Sequence, residues 1–589
     1  MTIGLRKKPL LGRVQMNLKK KLIASAGVLV LSASTVASVT SAQAANPASW
    51  SGPVPAKAGA VKGGTVTIIN QGDYEHLDPA RNYVGGTLDF YRLFIRTLTQ
   101  IRTVNGKSEL VPDLAADLGT TKDGGKTWVY KLRDGIQYED GALVTCEDIK
   151  YGIGRSYEDA TLDGGPTYAQ DLLINDNGYK GPYTTPTKDL ESVVCAADGS
   201  TITFKLAIKV PYFSYVTTYG AFSPIQAEKD TKQNYDLRPV STGPYKISSY
   251  DRGKQLTLVR NSYWDASTDP IRWNYPDKFV VKFGFDQNVV ENTLISDSGE
   301  AKTSMSMDTD IITNLSKVNG KAAYKSRFFP VVSPYARYYT INVDTVKDVN
   351  VRKAIQCAFD YKQIIAAAGG STVGTPSGST IPANVKAAYR NFTVCGRDVV
   401  KKPEAQVAAA KAFLAKATDK KLNLTLAYRL KGVEPARAAA VQQQLEAVGF
   451  KVTMASYPSS GYYSKVNKRG VAGEPDIIQA SWGYDWAAAS GIVYALFDGR
   501  TMPPTDAKQN YSRANFADLT KLFEKADASP TAIQEKILGD IEQNLVQEKA
   551  AHLNVFFQND FFMAGSKLGG LQIDGGFSTL SPLGAYVKK

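Results

Sequence analysis

Histidine is almost absent from this chain: 589 residues carry two, His76 and His552. Neither stands in an H-E-x-x-H or other metal-ligand spacing, which argues against a zinc hydrolase. Cysteine is nearly as scarce. Cys146, Cys195, Cys357 and Cys395 form no C-x-x-C pair, so neither zinc nor dithiol redox chemistry is indicated. No G-x-S-x-G elbow is present to seat a catalytic serine. Gly119 with Gly124-Gly125-Lys126-Thr127 approaches a P-loop, but the first glycine is one residue out of register. The residues that follow, Thr127 to Leu132, alternate like a strand where a P-loop needs a helix, so Lys122 to Gly125 reads as a hairpin turn. No cofactor and no metal are expected.

Positive charge, by contrast, is concentrated at the start. Arg6, Lys7, Lys8, Arg13 and Lys19 to Lys21 precede an uncharged stretch, Leu22 to Ala44, that ends Ser41-Ala42-Gln43-Ala44. This is the pattern of a signal peptide cleaved after Ala44. The stretch is broken by Ser and Thr and is weakly apolar for a spanning helix. Export to the periplasm or the cell exterior is expected, without a cysteine at the cleavage point to carry lipid. Removing residues 1–44 takes away seven basic and no acidic residues, so the formal charge falls from +14 to +7. No basic run survives, which speaks against nucleic-acid binding. An oxidising compartment favours disulfides, and four cysteines allow three pairings. Cys146 with Cys195 and Cys357 with Cys395 is the expected set, because the chain between these pairs reads as passing from one domain into another.

The mature chain mixes strand and helix patterns. Gly64 to Ile69 and Thr201 to Leu206 alternate as strands. Leu422 to Tyr428 does so too; Pro435 then opens a helix with Val441, Leu445 and Val448 on one face, Gly449 ends it, and Lys451 to Met454 begins a strand. Strand, helix, strand in this order predicts a parallel pair. Asn515 to Lys525 and Thr531 to Val546 add amphipathic helices.

Several separated segments then carry a resemblance. They are Leu77-Asp78-Pro79; Leu132-Arg133-Asp134-Gly135 with Asp140-Gly141 and Glu147-Asp148-Ile149; Ser241-Thr242-Gly243-Pro244-Tyr245 with Leu258 to Asn261 and Tyr263-Trp264; Asn342 and Asp348 through Val351-Arg352-Lys353-Ala354-Ile355 to Phe359-Asp360; and Trp482-Gly483-Tyr484-Asp485. In order and spacing they resemble the peptide and nickel-type family of bacterial extracellular solute-binding proteins. The resemblance implies an α/β clamshell of the type II periplasmic-binding-protein kind, with two lobes, hinge crossovers and an extra inserted domain. The implied division is signal peptide 1–44, linker 45–61, a first lobe from 62–97, 238–329 and 555–589, an inserted domain 98–237, and a second lobe 330–554. Lobe crossings are expected near Pro239 to Thr242 and near Pro330 to Tyr338, where a few loop torsions could absorb closure.

The implied function is capture of a short peptide, by a monomer, for the permease subunits of an ABC importer. In related peptide binders the aspartate at the last motif holds the ligand ammonium, which makes Asp485 the candidate for that role, with Trp482, Tyr484 and Trp486 around it. Asp73, Glu75, Tyr335 and Tyr338 are further candidates for contact. Two alternatives stand beside this reading: a receptor for another solute such as an oligosaccharide or metal chelate, and an exported glycoside hydrolase using two carboxylates.

Overall fold

In Thr65-Val-Thr-Ile-Ile69 only Thr65 is half-buried and the other four residues are buried, and the segment is the strand on which the first lobe is built. The computed structural model describes residues 50, 52–104, 107–158, 160–162, 164–458, 462–500 and 502–589. The expected signal peptide and the start of the expected linker lie outside them.

After β1 (Thr65–Ile69) the chain makes an excursion through the hairpin β2 (Thr99–Val104) and β3 (Lys107–Pro112), then β4 (Thr127–Lys131), helix α1 (Cys146–Arg155), β5 (Val193–Cys195) and β6 (Thr201–Lys205). β4, β6 and β5 form a three-stranded antiparallel sheet. The near P-loop is the turn into β4: Asp123 accepts from the amides of Lys126 and Thr127, and Thr120 bridges Val129. α1 opens on a capping box between Thr145 and Asp148, and its Cys146 is disulfide-bonded to Cys195 at the end of β5. The chain returns through β7 (Tyr245–Asp251), β8 (Gln255–Arg260), β9 (Lys278–Lys282) and β10 (Ser304–Met305). These complete a five-stranded sheet in the order β10-β1-β9-β8-β7, with β1 parallel to both neighbours.

Pro239 to Thr242 is not a lobe crossing, contrary to expectation. Thr242 donates its amide to the Phe94 carbonyl. Phe204 and Phe222 before the segment share one hydrophobic core with Tyr245 and Ile247 after it. The excursion packs onto the first sheet, so the return needs no hinge.

The second sheet begins with β11 (Phe328–Ile341). It continues through α2 (Val349–Ala358), β12 (Gly374–Pro376), β13 (Asn423–Leu430), α3 (Glu434–Val448), β14 (Lys451–Pro458), β15 (Ile477–Trp482), α4 (Ser490–Phe497), α5 (Ala517–Asp527), α6 (Thr531–Gln547) and β16 (His552–Met563), in the order β12-β16-β11-β15-β13-β14. β13 and β14 pair in parallel, as the strand-helix-strand pattern predicts. α3 has proline in its first turn, buries Val441, Leu445 and Val448, and ends at Gly449 with φ +112°. Cys357 on α2 is disulfide-bonded to Cys395.

Two antiparallel strands join the lobes. The ends of β11 and β16 nearest the first sheet, Phe328 with Phe561 and Met563, pack with Ile69 and Val290, whereas Tyr339 and Leu553 at their other ends pack in the second lobe. Their register slips between Val332 and Ala336: Ser333, Pro334 and Tyr335 face the single residue Gln558. A bulge of this kind loosens the ladder where the strands pass from core to core, which suits a hinge. The expected divisions at 329/330 and 554/555 fall inside these two strands.

Candidate functional site

β15 ends at Trp482, and the turn that follows carries Gly483-Tyr484-Asp485-Trp486. Gly483 is required by a close approach: a Cβ there would lie 2.7 Å from the Tyr335 ring. The turn is fixed from behind. The Asp485 amide donates to the Gly491 carbonyl at 3.1 Å, and the Glu535 carboxylate of α6 accepts from the amides of Ala489 and Ser490 where α4 begins.

The turn therefore holds Asp485 facing the other lobe. Its carboxylate accepts from the Tyr83 hydroxyl at 3.0 Å and from the Tyr168 hydroxyl, and its carbonyl accepts from Tyr219 at 2.9 Å. Burial pushes its carboxyl up from 3.8 to about 7, against the tyrosine hydroxyls, which pull it down; no described cation contributes. A shielded carboxylate with only neutral donors is electrostatically incomplete, and a cation bringing its own hydrogen bonds completes it.

Three cavities follow one another along the cleft. A cavity of about 430 Å³ and a second of about 230 Å³ meet at Tyr83, Trp482 and Asp485. The second meets a third, about 520 Å³, at Tyr335, Arg429, Ser481 and Phe577. Trp482 lines the first two, and its indole N–H is buried without a partner among the described residues. Trp486 walls the first, stacked on Tyr212 at 5.5 Å with its indole N–H on Ser490. Tyr484 is mostly core; its hydroxyl donates to the Gly575 carbonyl, and it touches only the second cavity. Tyr335 projects from the bulge into the second and third.

The remaining candidates divide. Tyr338 lies nowhere near ligand space: it is fully buried in the second-lobe core, its ring 4.7 Å from that of His552. Beyond the bulge β11 is a central strand with both faces covered, so its expected contact is corrected. Asp73 lines the third cavity but is already engaged, accepting from the Tyr250 hydroxyl at 2.6 Å and the Gly253 amide at 2.8 Å. Glu75 is exposed at the rim of the same cavity. Sequence reasoning missed Tyr83, Tyr168 and Tyr212. It also missed Arg337 and Arg429, which line the third cavity; Arg429 is paired with Glu434, and Arg337 donates to the neutral amide of Gln558.

Residues 109–503 match the pattern of the bacterial extracellular solute-binding proteins, family 5 Middle. The chain belongs to this family. Among family 5 relatives, the oligopeptide-binding protein OppA of Bacillus subtilis (strain 168) is 24% identical over 277 residues, covering 46% of this chain and 48% of OppA, about half its length. The dipeptide-binding protein DppE of the same organism is 22% identical over 484 residues, covering 78% and 81%. The solved clavulanic acid biosynthesis oligopeptide binding protein 2 superimposes with a TM-score of 0.81 at 24% identity over 92% of this chain and 100% of that one. The unliganded open form of the murein tripeptide-binding protein MppA gives 0.68 at 19%, over 90% and 99%. These likenesses show the fold: a type II clamshell of two α/β lobes.

Proposed function

We propose that this protein captures short peptides with a free N-terminus in the cleft between its lobes and presents them, as an exported monomer, to the permease of an ABC importer. The carrying observation is Asp485, a carboxylate turned into the cleft with neutral partners only, at a point where both lobes converge. An α-ammonium fits this place: it is a compact cation whose hydrogens replace those of Tyr83 and Tyr168. A string of cavities passing Asp485 suits an extended chain. The relatives named as oligopeptide- and dipeptide-binding proteins support the same ligand class. Division of the chain into linker, lobes and inserted domain at the boundaries given above belongs to this proposal.

Closure follows from the hinge. A ligand touching both lobes favours the closed arrangement by its differential affinity for that state. Native mass spectrometry of the freshly purified protein tests the ligand class: co-purified masses should be peptides that are lost on unfolding. An oligosaccharide or a metal chelate released instead would overturn the peptide reading.

A further inference from the structure

The ribbon of β11 and β16 that joins the lobes has two faces, and only one looks into the cleft. Along β16, Gln558, Asp560 and Phe562 line the third cavity, whereas Asn559 and Phe561 between them line a separate hollow of about 410 Å³. Side chains alternate along a strand, so this hollow lies behind the ribbon. Pro330 and Val332 of β11, paired with Phe561 and Asn559, share that back face. One lip of the hollow is Asn319, in the first-lobe segment before β11; the other is Ser371 and Thr372, in the second-lobe loop before β12. The hollow thus straddles the hinge from behind.

The two lips belong to different lobes. Asn319 follows Leu315 and Val318, which pack in the first-lobe core with Ile69 and Phe561. The opposite loop runs into β12, which pairs with β16 at Phe556 to Gln558 on the second-lobe side. Its tip is clasped at the hinge itself: the Asn559 side chain accepts from the Thr375 hydroxyl at 2.8 Å and donates to the Thr372 carbonyl at 2.8 Å, and the Asn559 amide donates to the Val373 carbonyl at 3.1 Å. No charged side chain lines the hollow, so bulk and not charge governs how closely the lips can approach.

In the arrangement described here the front is shut, with Tyr83 and Tyr219 reaching Asp485 across it. Lobes that turn about a ribbon lying between front and back cannot close on both sides at once, so opening the cleft brings Ser371 and Thr372 toward Asn319. We propose that the hollow is the counter-gap of the hinge: it is widest when the cleft is shut, and the approach of its lips limits how far the empty receptor opens. Residues that touch no ligand thereby tune affinity. Bulk on the lips disfavours the open state, and a ligand that holds the closed state then has less of the closing equilibrium to overcome. The inference does not depend on which solute the cleft takes.

X-ray scattering of the ligand-free mature protein tests it. Thr372→Trp and Asn319→Trp each place bulk on one exposed lip, and Lys317→Trp, exposed just before Asn319 but outside the hollow, controls for bulk alone. Both lip variants should show a smaller radius of gyration than the unmodified protein, and Lys317→Trp the same one. With trialanine as the probe, calorimetry should show affinity tightened about three- to tenfold in both lip variants, as when the closed fraction of the empty receptor rises from about a tenth to between about a third and nearly all. The double variant should gain less than the product of the two, because both side chains fill one gap. A radius that is unchanged or larger in normally melting lip variants, equal shrinkage in Lys317→Trp, or trialanine held more weakly by the lip variants would each overturn the inference. Trialanine ignored by every form would count against the peptide reading alone, since scattering decides the hinge without it.

Discussion

Because the Asp485 carboxyl sits at about 7 in the empty cleft, peptide capture should be linked to proton release. The perturbation is pH. Below 7 the empty site is protonated, and an arriving ammonium must expel that proton before the charged pair forms. With the free carboxyl at about 7, the ionised fraction falls from about one half at pH 7 to about one thirtieth at pH 5.5, so affinity should fall about fifteenfold over that range. Above about pH 8 the peptide's own amine loses its charge and affinity falls again. Calorimetry in two buffers of different ionisation enthalpy at pH 6 should report close to one proton, about 0.9, released per peptide bound. Asp485→Asn should abolish both the release and the acid limb. Affinity that stays level between pH 5.5 and 7 in the unmodified protein, with no proton released, would refute the reasoning.

Other consequences follow from neighbouring geometry. Gly483→Ala drives a methyl into the Tyr335 ring and should weaken peptide binding by about 1–3 kcal/mol with little change in melting temperature; in a Tyr335→Ala background it should be neutral. The buried Glu542 carboxyl is raised by burial to about 7, against donors from Ser379 and Thr380. A raised acid stabilises the fold below its unfolded value and loses that contribution as pH climbs through 7, so Glu542→Gln should lose less melting temperature than the unmodified protein between pH 5 and 7. The disulfides close loops with separations of 49 and 38 residues. Chain entropy gives about 4 kcal/mol for each, and denaturant titration with and without reductant should show a loss of that order; an unchanged midpoint would contradict the pairing.

The sequence made the second lobe legible wherever local chemistry and tertiary packing agree. β13, α3 and β14 are readable because Pro435 and Gly449 mark the helix ends and the apolar spacing matches the buried face. Asp485 was legible through its motif and its aromatic neighbours. Tyr335 and Tyr338 look alike in the sequence, but Tyr335 sits in the bulge at the cleft, whereas past it β11 is buried on both faces and Tyr338 and Tyr339 alike lie in the core. The partners of Asp485 were beyond reach for a different reason. Tyr83 and Tyr168 lie 402 and 317 residues away, among 32 tyrosines, and no local pattern marks them. The crossing expected at Pro239 to Thr242 reflected loop composition alone, and packing of the inserted segment onto the first sheet decided otherwise.

The central claim is that Asp485 holds the peptide's ammonium, and a double-mutant cycle between Asp485→Asn and N-terminal acetylation of one peptide tests it most directly. Removing one partner of a shielded charged pair costs about 2–5 kcal/mol, so Asp485→Asn should weaken the free peptide roughly thirtyfold to several-thousandfold and leave the acetylated peptide's already weak affinity nearly unchanged. The coupling energy should then approach the full single-mutant effect. A normally melting Asp485→Asn protein that binds free and acetylated peptides as tightly as the unmodified chain would contradict the account.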